Sequence, residues 1–228
     1  MIGPGGTSHG PFGRKIWNPA RTGRSDITRD RRDRHNDGMA THVALLRGIN
    51  VGGKNKVPMA ELRDVVTSLG HTGVTTYIQS GNVLFTTSQD DTAKLAAALE
   101  AAIAEAFGVR SPVVVLSRED LARVLDTNPH PEEPNPKLVH VVFLNAEPPP
   151  DVLDRIKAAQ SAAAAKGSAD TVTAIGPALF LHTPDGFGTS DLAQVVLRIL
   201  GAPAKTGITA TARNWSTSTK LLALCEEK

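Results

Sequence analysis

The chain has 228 residues, 40% of them apolar and 21% charged, with one cysteine and a formal net charge of +2. That length holds one large domain or two small ones, the composition is that of an ordinary globular protein, and a single thiol excludes an internal disulfide framework. No apolar run approaches the roughly 18 residues of a membrane-spanning helix, so no membrane partner is expected and a cytoplasmic location is.

Residues 1–38 stand apart. They are rich in Gly, Pro, Arg, Asp and Asn, with isolated apolar residues and no strand or helix period, which predicts a disordered basic extension. Eight basic residues face four Asp there, so this head is net +4 and leaves −2 for the rest of the chain. Arg31-Arg32 precedes no apolar stretch, so no secretory signal is predicted. Met39 lies directly before the first strand-like run and reads as the natural start.

From there the elements follow in order. A short strand over 41–47 leads into a Gly-rich loop. A helix then carries Met59, Leu62, Val65, Val66 and Leu69, with Pro58 at its first position and Gly70 at its end. Strands over 74–80 and 83–87 flank Gly81-Asn82, a pair suited to a two-residue hairpin turn. That turn would pair Ser80 with Val83, Gln79 with Leu84, Ile78 with Phe85 and Tyr77 with Thr86. Ser88 opens a helix with Leu95, Leu99, Ile103 and Phe107 on one stripe, a strand over 112–116 follows, and Ser117 caps a short linking helix. Four prolines in 129–136 predict an extended connector.

Beyond the connector the order begins again. A strand over 138–144, a helix after Pro148-Pro149-Pro150, and strands over 171–175 and 178–182 come first. A helix capped by Thr189 or Ser190, a strand over 208–212 and a helix over 215–224 complete it. The expected fold is therefore α+β: two tandem ferredoxin-like (β-α-β-β-α-β) domains, the second with an extra C-terminal helix. The boundaries are 1–38 for the extension, 39–128 for the first domain with its linking helix, 129–137 for the linker and 138–228 for the second domain.

Several motifs are longer than turns require. They are Leu45-Leu46-Arg47-Gly48-Ile49-Asn50-Val51-Gly52-Gly53 with Pro58-Met59, the run from Thr76 through Ser80-Gly81-Asn82 to Phe85, and Ala212-Arg213-Asn214-Trp215. In these the chain resembles the bacterial domain of unknown function 1697 family, from about residue 41 to the C-terminus. The resemblance implies two ferredoxin-like units and no particular activity.

The 48–54 run fits most of a phosphate-binding G-x-x-x-x-G-K loop. Asn55 stands where a metal-binding hydroxyl is needed, Pro58 delays the helix, and no apolar strand ends in Asp, so a nucleotide triphosphatase is not predicted. What survives is a surface able to hold an anion. The expected ligand-binding residues are Arg47, Asn50, Gly52, Gly53, Lys54, Lys56, Tyr77, Gln79, Ser80, Asn82, Arg213, Asn214 and Thr217. Arg213 is expected beside the free amides of the last helix, and the ligand is a small polar or anionic molecule between the two domains. An alternative is that these motifs only join the domains, as a non-catalytic interaction module. A third reading has nucleic acid on an open sheet face with the basic head, but 4% aromatics and an acidic body disfavour it. The seven histidines are scattered, so neither a metal nor a cofactor is expected.

Overall fold

The first strand begins where the apolar pattern begins. A computed structural model describes residues 39–201 and 203–227; the predicted extension at 1–38 lies outside the described residues. β1 (His42–Leu46) is buried along its length. α1 (Met59–Ser68) starts one residue later than expected, with Pro58 in extended backbone at the capping position. Beyond its C-cap Leu69 the chain leaves through Gly70, whose φ of 88° suits a residue without a Cβ. β2 (Thr72–Tyr77) and β3 (Asn82–Thr86) form a hairpin. α2 (Thr92–Phe107) is capped by Asp91, which accepts from the Lys94 amide, rather than by Ser88. β4 (Val113–Ser117) passes directly into α3 (Arg118–Leu125), whose cap is Ser117 as expected.

The second half repeats the order. β5 (Val139–Leu144), α4 (Pro150–Ala164), β6 (Thr171–Ile175), β7 (Ala178–His182) and α5 (Asp191–Leu200) come first. A single turn, α6 (Pro203–Thr206), was not predicted. β8 (Ala210–Asn214) then passes into α7 (Trp215–Glu226), capped by Asn214 as β4 passes into α3 capped by Ser117. The correspondence extends to register: His42 of β1 lies opposite Ser117, and His140 of β5 lies opposite Asn214.

The elements make two four-stranded antiparallel sheets, ordered β2-β3-β1-β4 and β6-β7-β5-β8. Alternation along the strands divides the apolar residues among three clusters. Ala44, Leu46, Val83 and Phe85 pack under α1 and α2. Val142, Leu144, Leu179 and Leu181 pack under α4 and α5. The remaining faces, with Val43, Leu45 and Leu84 on one sheet and Val141, Phe143 and Phe180 on the other, share a third cluster with Leu121 of α3 and Leu221 of α7. The sheet face on which the nucleic-acid reading depends is therefore filled by the other half. Residues Gly38–Lys228 form one compact unit.

The hairpin differs from expectation. Tyr77 pairs with Asn82, Thr76 with Val83 and Thr75 with Leu84, so the turn spans four residues, 78–81, and the pairing is shifted by four. The cause is Gly81, which is drawn against the core: a Cβ there would lie 2.7 Å from Leu46 Cβ and 2.8 Å from Ile49 Cδ1. Because side chains alternate with period two, a four-residue shift leaves Val83 and Phe85 under the helices and Tyr77 and Leu84 on the inner face, as expected. Ile78, expected opposite Phe85 on the strand, is instead half exposed in the turn, with φ of 50°. β8 also lies two residues later than expected, which places Arg213 on the strand opposite Val141.

Gly81→Ala should cost about 2–4 kcal/mol, from left-handed strain plus overpacking. Gly53→Ala, at a similar φ but with nothing within 4 Å, should cost only the strain of about 1–2 kcal/mol. Urea unfolding of the two variants measures the difference; equal losses would mean the contact with Leu46 and Ile49 does not matter.

Burial lowers the pKa of His42 and His71, which pack on Phe85, and brings that of His140, stacked 3.8 Å from Phe187, to about 4. A depressed folded pKa means that the unfolded chain takes up the proton first, so stability is complete above about 6.5 and is lost as pH falls below it. Chemical denaturation between pH 7 and pH 4 should show this decline, and His140→Phe should flatten it.

Candidate functional site

Two loops and one arginine bring the polar motifs together. After Leu46 the chain turns outward, and Ile49, 2% exposed, anchors the loop from beneath. Val51 and Lys54 form a bridge across Gly52-Gly53, whose φ values of 58° and 75° suit a tight turn. Two asparagines in the left-handed region hold its base. Asn50 accepts from the Val57 amide at 2.9 Å and donates to Val57 O at 2.9 Å and to Gln79 O at 3.0 Å. Asn55 donates to Gly48 O at 2.9 Å, and its own carbonyl accepts from the Asn50 amide at 3.0 Å. The loop is thus clasped to itself and to the 78–81 turn. That turn is pinned in the same way: Asn82, fully buried, donates to Tyr77 O at 2.9 Å and to Ser80 Oγ at 3.0 Å.

Arg213 reaches this junction from the other half. Its Nε donates to Asn82 Oδ1 at 2.5 Å. Nη1 donates to Thr211 Oγ1 and Ala212 O, both at 2.8 Å. Nη2 donates to Leu46 O at 2.8 Å, Ser80 O at 3.0 Å and Gly81 O at 3.3 Å. All five guanidinium N–H groups have neutral oxygen acceptors. Burial pushes the Arg213 pKa down to about 10, so the group stays charged at neutral pH. Arg47 reaches in the opposite direction. Its Nη2 occupies the space beside Gly201, 2.9 Å from where a Cβ would sit, at the C-terminal end of α5 where carbonyl oxygens concentrate negative potential. Each half therefore sends one arginine into the other.

The expected site residues divide into two groups. Arg213, Asn82 and Asn50 spend their side-chain groups on the protein, and Asn214 caps α7 by accepting from the Thr217 amide at 2.8 Å. Thr217 is buried in the first turn of that helix, and Arg213 lies on β8 rather than beside the helix amides, because β8 runs through it. Tyr77 is half buried against the cluster between the sheets. Gly52, Gly53, Lys54, Lys56, Gln79 and Ser80 form the exposed group on the outer surface of the two clasped loops. Lys54 and Lys56 have no ion-pair partner among the described residues. A cavity of about 460 Å³ lies elsewhere, between α4 and α5, and is lined by Lys166, Asp170, Asp185, Ser190 and Leu192 among others. None of the expected residues lines it. Among the described residues there is no cluster of metal-binding side chains, and no helix is long and apolar enough to cross a membrane.

An α+β chain with two antiparallel sheets, joined across their inner faces and locked by reciprocal arginines, is the class of protein these observations define. Its family follows from comparison: the family model described as protein of unknown function DUF1697 matches residues 39–173, and the chain belongs to that family. It is similar to a solved structure, the conserved bacterial protein SP0830 from Streptococcus pneumoniae. That similarity is 27% identity over 82% of this chain and 99% of that one, with a TM-score of 0.59. The chain matches no curated protein.

Replacing Arg213 by Ala strands the buried oxygens of Asn82, Leu46 and Gly81 and should cost about 3–5 kcal/mol. Arg213→Lys should recover little of it, since an ammonium cannot serve acceptors in a planar fork. A double-mutant cycle with Asn82→Ala, read by urea unfolding, should give a coupling of about 1–3 kcal/mol; additive losses would show that the two act separately.

Proposed function

We propose that this protein binds a small polar or anionic molecule at the junction of its two halves, on the outer surface of the 48–56 and 78–81 loops. Lys54 and Lys56 supply charge, Gln79 and Ser80 supply hydrogen bonds, and the Gly52-Gly53 backbone lets the ligand approach closely. Arg47, Asn50, Asn82, Arg213, Asn214 and Thr217 are the support beneath these groups. The observation that carries the reading is the clasp made by Asn50. It ties a basic, glycine-rich loop to a second polar turn, so little conformational entropy remains to be lost when a ligand arrives.

Two further elements belong to the proposal. Each half is a ferredoxin-like unit, a reading supported by the strand order β2-β3-β1-β4 and its repeat as β6-β7-β5-β8. The domains are 39–128 and 138–228, joined by the linker 129–137, and a cytoplasmic location is consistent with the buried, unpaired thiol of Cys225.

A second reading, an interaction module whose polar motifs serve only to join the halves, is favoured by one fact: Arg213 has no donor left over. Thermal unfolding in the presence of phosphate, sulfate, citrate and a nucleoside monophosphate separates the two. A true ligand at 100 times its dissociation constant stabilises by about 2.7 kcal/mol. Lys54→Ala with Lys56→Ala should abolish that gain and leave the stability of the free protein within about 0.5 kcal/mol of wild type. No stabilisation by any of the four anions, or stabilisation that survives the double substitution, would leave the interaction module as the reading.

A further inference from the structure

Among the described residues, the side-chain hydrogen bonds and ring contacts that tie the connector to the rest of the molecule lie at one place. Pro129, Pro131, Pro134 and Pro136 have no amide to donate. The hydrogen bonds made by the amides of the segment are local: His130 to Asn128 Oδ1, Glu133 to His130 O, Asn135 to Glu133 Oε1 and Lys137 to Asn135 Oδ1. The tie to the rest of the molecule is His182, the last residue of β7. Its Nε2 lies 2.6 Å from Glu133 Oε2, and its ring stacks on that of His130 with centroids 4.7 Å apart.

This tie is incomplete. His130 Nε2 is buried with no hydrogen-bond partner among the described residues. Buried polar atoms left unpaired weigh against the state that buries them. The closed connector is therefore held by one imidazole–carboxylate contact and one ring stack, against one unsatisfied buried nitrogen.

We propose that residues 130–133 are a latch, closed on β7 through His182 at neutral pH and released on acidification. A proton on His130 would create a second N–H donor at or beside a buried nitrogen that has no acceptor, and would place a positive charge against the neighbouring imidazole. Protonation of Glu133 at lower pH removes the remaining contact. The ionisable groups acting on His130 are His182 on β7 and Glu133 on the connector itself; Val139 on β5 and Thr171 on β6, the residues flanking His182 in register, carry no charge. Burial, then His182, holds His130 below the usual imidazole value. The Asn135 amide, then His182, holds Glu133 below the usual carboxyl value. These two signs favour opening as pH falls, first below about 6.5 and then below about 4.5, while a proton on His182 acts the other way by making its contact with Glu133 an ion pair.

Hydrogen exchange of the full chain at pH 7.5 and pH 5.5, with labelling times scaled for the intrinsic rate, tests the latch. The amides of His130, Glu133, Asn135 and Lys137 should lose about tenfold in protection at pH 5.5 while β1 and β5 keep theirs. Glu133→Gln should open the segment already at pH 7.5. His130→Phe keeps a ring on His182 but cannot take a proton, and should hold the segment closed at pH 5.5. Unchanged protection in wild type, loss that coincides with loss in the strands, or a His130→Phe variant that opens as wild type does would each overturn the proposal.

Discussion

Each sheet of this protein has two long helices on one side, and the other side must be taken out of water by something else. Val43, Leu45 and Leu84 on the first sheet and Val141, Phe143 and Phe180 on the second are almost completely buried. Neither set could remain so if the halves separated. At roughly 25 cal/mol per Å² of apolar surface, removing two sheet faces from water outweighs any polar contact in the junction. α3 and α7 complete the arrangement. Each follows directly from the last strand of its half, is capped by that strand's final residue, and contributes its apolar stripe to the shared cluster.

The apolar seam holds the halves together but does not by itself set how they meet. Non-directional burial tolerates sliding, whereas a buried guanidinium with five fixed donors does not. Arg213 meets this demand with backbone oxygens from the end of β1 and the 78–81 turn and with the side chain of Asn82. Among the described residues no carboxylate pairs with the charge; carbonyl, amide and hydroxyl oxygens solvate it instead. A group that must find oxygens in these positions gives the interface one register, and the loops above it inherit that definition.

The sequence carried the faces of the strands better than their partners. Period-two alternation assigns Val83 and Phe85 to one side and Leu84 to the other in either hairpin register, so the error in the turn left the core assignment intact. The turn itself was misread because Gly81-Asn82 is a strong local signal for a two-residue hairpin, while its actual use is tertiary. Gly81 makes room for Leu46 and Ile49, and Asn82 receives Arg213 from 131 residues away. Arg213 was legible as important but not as buried, because arginine is rarely interior and its acceptors are main-chain oxygens that no residue type announces. The loop asparagines show the same limit: Asn50 and Asn55 adopt left-handed backbone and turn their amides inward, where a sequence reading had Asn50 facing a ligand. The histidine contact between connector and β7 was missed entirely, since His130 and His182 are far apart in the chain and are joined only by the fold.

The connector also bears on what counts as one molecule. It runs between halves that already share an apolar cluster and exchange arginines, so its covalent continuity adds proximity and little else. Each half presents the apolar face that the other covers. The segment between them is largely exposed, the kind of backbone where insertion and nicking are best tolerated.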